Sequence, residues 1–310
     1  GTYRDYEDIL YGNTGAIFST DFNVRGGNGT TNFYSGISHL SEEGIMKNTG
    51  YEKLSLRLNV GHKVGKNLKL NLNTNYIHSD SDRGFTGNAN GNVATIGYTL
   101  ALFTRPWGNL FPDANGVFPN NPYGPSNPLQ TQALIKNEEK TNWFIVGGTA
   151  ELNLYTGERS DLKLILRGGL DAYTLNTTAI FPRNLQWQVG GDNGIAAHGV
   201  NRNRDYNLSG FLVHNYTTTS NLNFTTQVGM TAEHFDLNRL LVVGRDLTIG
   251  ETTIDNTAIQ ESNQFILKQE DSGFFVQEEV NYDDKLIATI GVRGDKSSNN
   301  SDANKLYYYP

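Results

Sequence analysis

Six histidines are the first place to look for chemistry in this sequence: His39, His62, His78, His198, His214 and His234. Zinc sites and hydrolytic metal centres space their ligands closely, as in HExxH or His-x-His, and neither spacing occurs. Cysteine is absent, so there are no thiolate ligands and no disulfides. Asp113-Ala114-Asn115-Gly116 begins like a calcium loop, but no bidentate glutamate follows, and it reads as an ordinary turn. Gly26-Gly27-Asn28-Gly29 leads into a strand pattern, which makes it a hairpin turn and no phosphate cradle. Glu278 and Glu279 are neighbours in a strand pattern, so their carboxylates point to opposite faces and cannot share a proton. No metal, cofactor or catalytic residue is expected.

What remains is recognition. Phe103, Trp107, Phe111 and Tyr123 fall in one long polar segment, and Phe181 and Trp187 in another. Aromatic faces beside Asn and Arg suit stacking on sugar rings or gripping peptide side chains. They equally suit packing against each other or against a partner protein. These six are the candidate ligand contacts, on loops where a rigid scaffold concentrates function.

The scaffold shows itself in a strand-turn-strand unit. Leu54, Leu56, Leu58 and Val60 alternate with Ser55, Arg57, Asn59 and Gly61. After a turn at Lys63 to Asn67, Leu68, Leu70, Leu72 and Tyr76 alternate with Lys69, Asn71, Asn73 and Asn75. A period of two sends successive side chains to opposite faces of a strand. One face is continuously apolar; the other carries amides, charges and glycines. Further pairs are expected at Phe22 to Leu40, Phe144 to Ala172, Tyr206 to Ala232 and Phe274 to Val292. Long loops are expected at about 79–140, 174–204 and 234–271. Short turns at one end and long loops at the other describe an outer-membrane barrel, with the apolar face in lipid and the polar face lining a wet interior. Arg57, Asn59, Lys69, Asn71, Asn73, Asn75, Lys163, Arg167, Asp171, Asn223, Gln227 and Glu233 would line that interior. Tyr155, Tyr216 and Tyr282 sit beside short turns, the height of an interfacial girdle. His214 shares the register of Leu208, Leu212 and Tyr216, near a strand end.

Composition is compatible. Phe 15, Tyr 16 and Trp 3 are present with Gly 34, and mean hydropathy is -0.49. No apolar run reaches the ~18 residues of a membrane helix. The net charge of -7 argues against a nucleic-acid partner. The sequence begins at Gly1 with no basic or apolar leader, so any signal peptide is removed or lies outside it.

Two stretches resemble SusC/RagA-type transporters, the TonB-dependent outer-membrane proteins of Bacteroidetes. The first comprises Asn23-Val24-Arg25-Gly26-Gly27, Thr31-Asn32-Phe33-Tyr34-Ser35, Glu42-Glu43-Gly44-Ile45 and Leu56-Arg57-Leu58-Asn59. The second comprises Val280-Asn281-Tyr282-Asp283-Asp284-Lys285, Arg293-Gly294-Asp295-Lys296-Ser297-Ser298 and Leu306-Tyr307-Tyr308-Tyr309-Pro310. His39 stands where the family often has an aromatic, and Lys296 where a Gly is usual. The resemblance implies an all-β, transmembrane antiparallel β-barrel. About ten strands would lie here, part of a 22-stranded barrel filled by a plug that these 310 residues do not include. It implies multi-pass residence in the bacterial outer membrane and uptake of oligosaccharides or peptides, without enzymatic activity. Its partners would be a SusD-like surface lipoprotein, outer-membrane lipid and, through regions outside this sequence, the TonB complex. A small complete outer-membrane barrel acting as enzyme or porin stays open as an alternative, as does a soluble β-rich glycan-binding or adhesin module.

Overall fold

The computed structural model describes residues 2–86, 94–220 and 222–310; residues 87–93 of the expected first long loop and Asn221 of an expected turn lie outside them. One antiparallel sheet dominates. Its strands are β1 (Ile17–Gly27), β2 (Thr31–Glu43), β3 (Gly50–Val64), β4 (Leu68–Asp82), β5 (Lys136–Thr156), β6 (Ser160–Phe181), β7 (Ile195–Thr217), β8 (Leu222–Leu247), β9 (Thr257–Tyr282), β10 (Leu286–Ser297) and β11 (Tyr307–Tyr309). They lie side by side in chain order, each paired to the next, with β1 and β11 at the open edges. Among the described residues α1 (Tyr6–Tyr11) precedes β1, α2 (Ile96–Phe103) and α3 (Pro128–Leu134) lie between β4 and β5, and a single 3-10 turn, Ile254–Asn256, lies between β8 and β9. No helix of the described residues is long and apolar enough to cross a membrane, which leaves crossing by strands open.

The strand count exceeds the expected ten because the last aromatic run forms the brief β11. The loops are shorter than the sequence suggests. β6 continues to Phe181, β7 starts at Ile195, β8 continues to Leu247 and β9 starts at Thr257. In the β7 extension both faces are polar, as in Asn201-Arg202-Asn203-Arg204. In β8 and β9 apolar residues come consecutively, as in Leu240-Leu241-Val242-Val243 and Phe265-Ile266-Leu267, so the period of two is lost while the ladder of backbone hydrogen bonds goes on. Pairing needs only backbone groups; alternation needs one dry face.

The connections alternate strictly in length. Tight turns join β1 to β2, β3 to β4, β5 to β6, β7 to β8 and β9 to β10. The last is a three-residue connection, Asp283 to Lys285, in which Asp283 and Asp284 both take positive φ, 52° and 53°. Lys285 N–H donates to Tyr282 C=O at 2.9 Å, and the Asn281 carboxamide accepts from Asp284 N–H at 3.0 Å. Two left-handed residues make a type I′ turn, whose twist matches that of the strands. The longer connections all gather at the opposite end.

Register divides the sheet into two surfaces. Val64, Leu68, Leu152, Leu164, Leu212, Val228, Val276 and Val292 stand directly opposite one another from β3 to β10, an unbroken aliphatic row. On the other face Gly61, Asn71, Thr149, Arg167, Ser209, Thr231, Gly273 and Asp295 form the matching row across the same strands. A β-bulge between Asn153 and Tyr155 keeps the division intact. It inserts Leu154 and so turns Tyr155 onto the apolar face, opposite Leu162. Along β7 the apolar face runs from Tyr216 to Tyr206, and Arg204 and Arg202 follow. At 3.3 Å per residue and a tilt near 40° that run rises about 25 Å, the height of a barrel's lipid-facing band.

Candidate functional site

Two places can meet a solute: the polar face of the sheet and the cap of loops at its long-loop end. All the interior-lining residues expected from sequence fall on the polar face. Arg57 stands opposite Asn75, Asn59 opposite Asn73, Lys69 opposite Glu151 and Lys163 opposite Val213. Asp171, Gln227 and Asn223 continue the same face on β6 and β8.

Side chains there are held by one another. The Trp143 indole N–H donates to the Asp171 carboxylate at 2.6 Å. The Arg167 guanidinium lies 5.4 Å from the centre of the Phe211 ring, which packs 5.9 Å from Phe275. The two rings come from β7 and β9 and close over Gly229 of β8. A Cβ at Gly229 would stand 2.4 Å from Phe275 and 2.8 Å from Phe211, so only glycine fits beneath them.

The loop cap is built differently. Tyr6 and Leu10 of α1, Met46, Ile96 of α2, Leu110 and Leu129 of α3 form a buried cluster. Carboxamides staple the surrounding chain. Asn127 caps α3, its carbonyl oxygen accepting from Leu129 and Gln130 N–H, while its amide donates to Leu110 and Pro119 C=O at 2.9 and 2.8 Å. Gln130 donates to Asn184 C=O and accepts from Gln186 N–H, tying the two long loops together. The Gln186 side chain accepts from Asn121 N–H and donates to Asn121 and Gly124 C=O. The Asn121 side chain donates to Phe103 and Ser126 C=O.

The six candidate aromatics lie on or beside this cap, in separate groups. Phe181, at the end of β6, and Trp187 pack with Phe85, ring centres 5.2 to 5.7 Å apart. Phe111 packs on Tyr6 at 6.1 Å. Phe103 ends α2 against Tyr98 and against Gly124, where a Cβ would come within 2.4 Å of its own. Trp107 and Tyr123 point outward, 61% and 46% exposed, with the indole N–H donating to the Tyr123 hydroxyl at 3.4 Å. Sequence reading missed the carboxamides that hold the cap. Asn127-Pro128 carried a signal for one of them, since an Asn followed by Pro is the usual opening of a helix. Among the described residues no group of three metal-ligating side chains converges.

No protein-family model matches the chain. Among characterised proteins it is similar to TonB-dependent receptor P26 of Formosa agariphila. The two are 26% identical over 316 residues, which cover 99% of this chain and 30% of the relative. Of solved structures, the RagAB peptide transporter superposes with a TM-score of 0.74 at 16% identity, over 99% of this chain and 34% of that one. The chain carries the SusC/RagA-type TonB-dependent transporter fold. The RagAB peptide importer in its open-open state agrees, with a TM-score of 0.72, 16% identity and coverage of 94% and 32%. The open sheet thus fits a segment of such a barrel's wall, and the chain spans about a third of the length of the proteins it matches. Those proteins are receptors and transporters rather than enzymes, and the Formosa relative fits the Bacteroidetes origin that the resemblance implies.

Proposed function

We propose that these residues form part of the wall of a TonB-dependent importer in the bacterial outer membrane, crossing it many times and taking up oligosaccharides or peptides. The observation that carries this reading is the pair of opposed rows, aliphatic on one face and polar on the other, running without interruption from β3 to β10. A soluble sheet would bury one such face, whereas here Leu208, Met230 and Ile290 stand 62%, 70% and 76% exposed. Exposed apolar surface of this extent needs lipid or protein against it. The RagAB peptide transporter supports the transport reading, and the six aromatic candidates of the cap suit both substrate classes.

All 310 residues belong, on this reading, to the barrel domain and its loops. The plug and the segment that engages the TonB complex lie elsewhere in the protein. A SusD-like surface lipoprotein covers the long-loop end. Trp107, Tyr123 and Phe111 touch ligand there, while Phe103, Phe181 and Trp187 hold the loops that carry them. Binding and gated passage suffice, and no covalent step is required.

The test is purification of the native protein from detergent-solubilised outer membranes. A polypeptide about three times the 34.3 kDa of this chain, copurifying with a lipoprotein, is the expected result. A protein of about 34.3 kDa that stays soluble without detergent would refute the reading.

A further inference from the structure

Where the apolar face of the sheet gives way to polar residues, a groove of about 470 Å³ opens on that same face. It rests on β7 to β10. Its floor is the cross-strand pair Leu208 and Ala232, with exposed Met230 one step further toward the short-turn end. Its upper wall is polar: His234, Glu270, Lys296 and Ser298. Tyr206 closes the side, packing 5.6 Å from the His234 ring. One row beyond, Arg204, Asp236 and Lys268 face the same way. The groove is therefore apolar toward the middle of the aliphatic band and polar at its border.

The charges within it are unequally engaged. His234 Nδ1 lies 3.3 Å from a Glu270 carboxylate oxygen, and Glu270 N–H donates to the Ser298 hydroxyl at 2.8 Å. Lys296 stands opposite Ser272 on this face and is exposed. Among the described residues it forms no ion pair, so its ammonium is the uncommitted charge at the border.

We infer that the groove between Tyr206, Leu208, His234 and Lys296 binds a phosphate-bearing lipid of the surrounding membrane. The acyl chain lies along Leu208, Ala232 and Met230, and the phosphate meets the Lys296 ammonium. The occupant follows from continuity: a surface that continues the lipid-facing band meets headgroups at the band's border. A polar border carrying an unpaired cation complements an anionic head, and long Lys side chains reach naturally to that level. The inference rests on the membrane reading given above.

The test uses the full-length protein in non-ionic detergent, with native mass spectrometry counting bound dioleoyl phosphatidic acid. Dioleoylglycerol supplies the chains without the phosphate, and inorganic phosphate supplies the reverse. Wild type is expected to hold phosphatidic acid about tenfold more tightly than dioleoylglycerol and to retain no inorganic phosphate. Lys296→Gly is expected to weaken phosphatidic acid about tenfold, and Lys296→Gln does the same if glycine disturbs the strand. Glu270→Gln removes a repelling carboxylate and should tighten binding. Equal binding by the Lys296 variants, or by dioleoylglycerol, overturns the lipid site while leaving the barrel in place. A full-length protein that stays dispersed without detergent overturns the membrane reading itself.

Discussion

The wall and the cap are held together on opposite principles. Across the apolar band the sheet buries only glycines, Gly61, Gly229, Gly273 and Gly294, and every larger side chain there keeps one side open. The cap, on a few short helices and loops, buries Leu10, Ile96, Leu110 and Leu185 almost completely. A barrel wall has no core of its own because lipid and lumen act as its two solvents, and its backbone ladder carries the fold. The cap faces water and must make a dry interior, so it resembles a small globular domain set on the wall. Its backbone has little regular structure, and side-chain amides therefore supply the hydrogen bonds that strands supply below.

This contrast can be broken most severely from the lipid side. Leu212→Arg, near the middle of the aliphatic band, should cost about 2–4 kcal/mol in urea unfolding from lipid vesicles. Gln227→Arg, on the polar face of the neighbouring strand, should cost less than about 1 kcal/mol in the same assay. Equal costs would erase the distinction between the faces.

In the cap, Asn127→Ala removes four hydrogen bonds, two of which cap α3, for a local cost of about 2–3 kcal/mol. Hydrogen exchange should then speed up in residues 94–134 and stay unchanged in the strands. Faster exchange across β5 to β8 would show that cap and wall are one cooperative unit.

A smaller effect, about 1–2 kcal/mol, is expected for Gly229→Ala, which pushes a methyl under Phe211 and Phe275. Adding Phe275→Leu should recover part of that loss; no recovery would mean the glycine serves something other than this close approach. Trp107→Ala should leave stability within about 0.5 kcal/mol, since the ring is exposed, yet weaken ligand capture about tenfold. Unchanged capture would remove Trp107 from the binding surface.

The wall was legible in the sequence because its physics is one-dimensional. Leu54 to Val60 and Leu68 to Tyr76 announce their faces by alternation alone, and the matching polar residues took their places without exception. The strand extensions beyond the band were not legible as strands: Asn201 to Asp205 is polar on both faces, and Leu240 to Val243 is apolar on both, so neither keeps a period of two. Tyr155 was assigned to the girdle by its nearness to a turn, and it reaches the apolar face only through the bulge at Leu154. The cap was hardly legible at all. Asn121, Gln130 and Gln186 look like loop surface in sequence, and only contacts between segments some 60 residues apart make them structural.

The central claim is that alternate residues of one strand face lipid, and it can be measured directly. These 310 residues have no cysteine, so single-cysteine spin labels can be placed along β7 from Tyr206 to Tyr216 in the full-length protein in lipid vesicles, with any cysteine elsewhere in it replaced. The account predicts a period of two: labels at the even-numbered positions respond to membrane-dissolved oxygen, and those between them do not. Uniform access of a water-soluble relaxation agent to every position would contradict it.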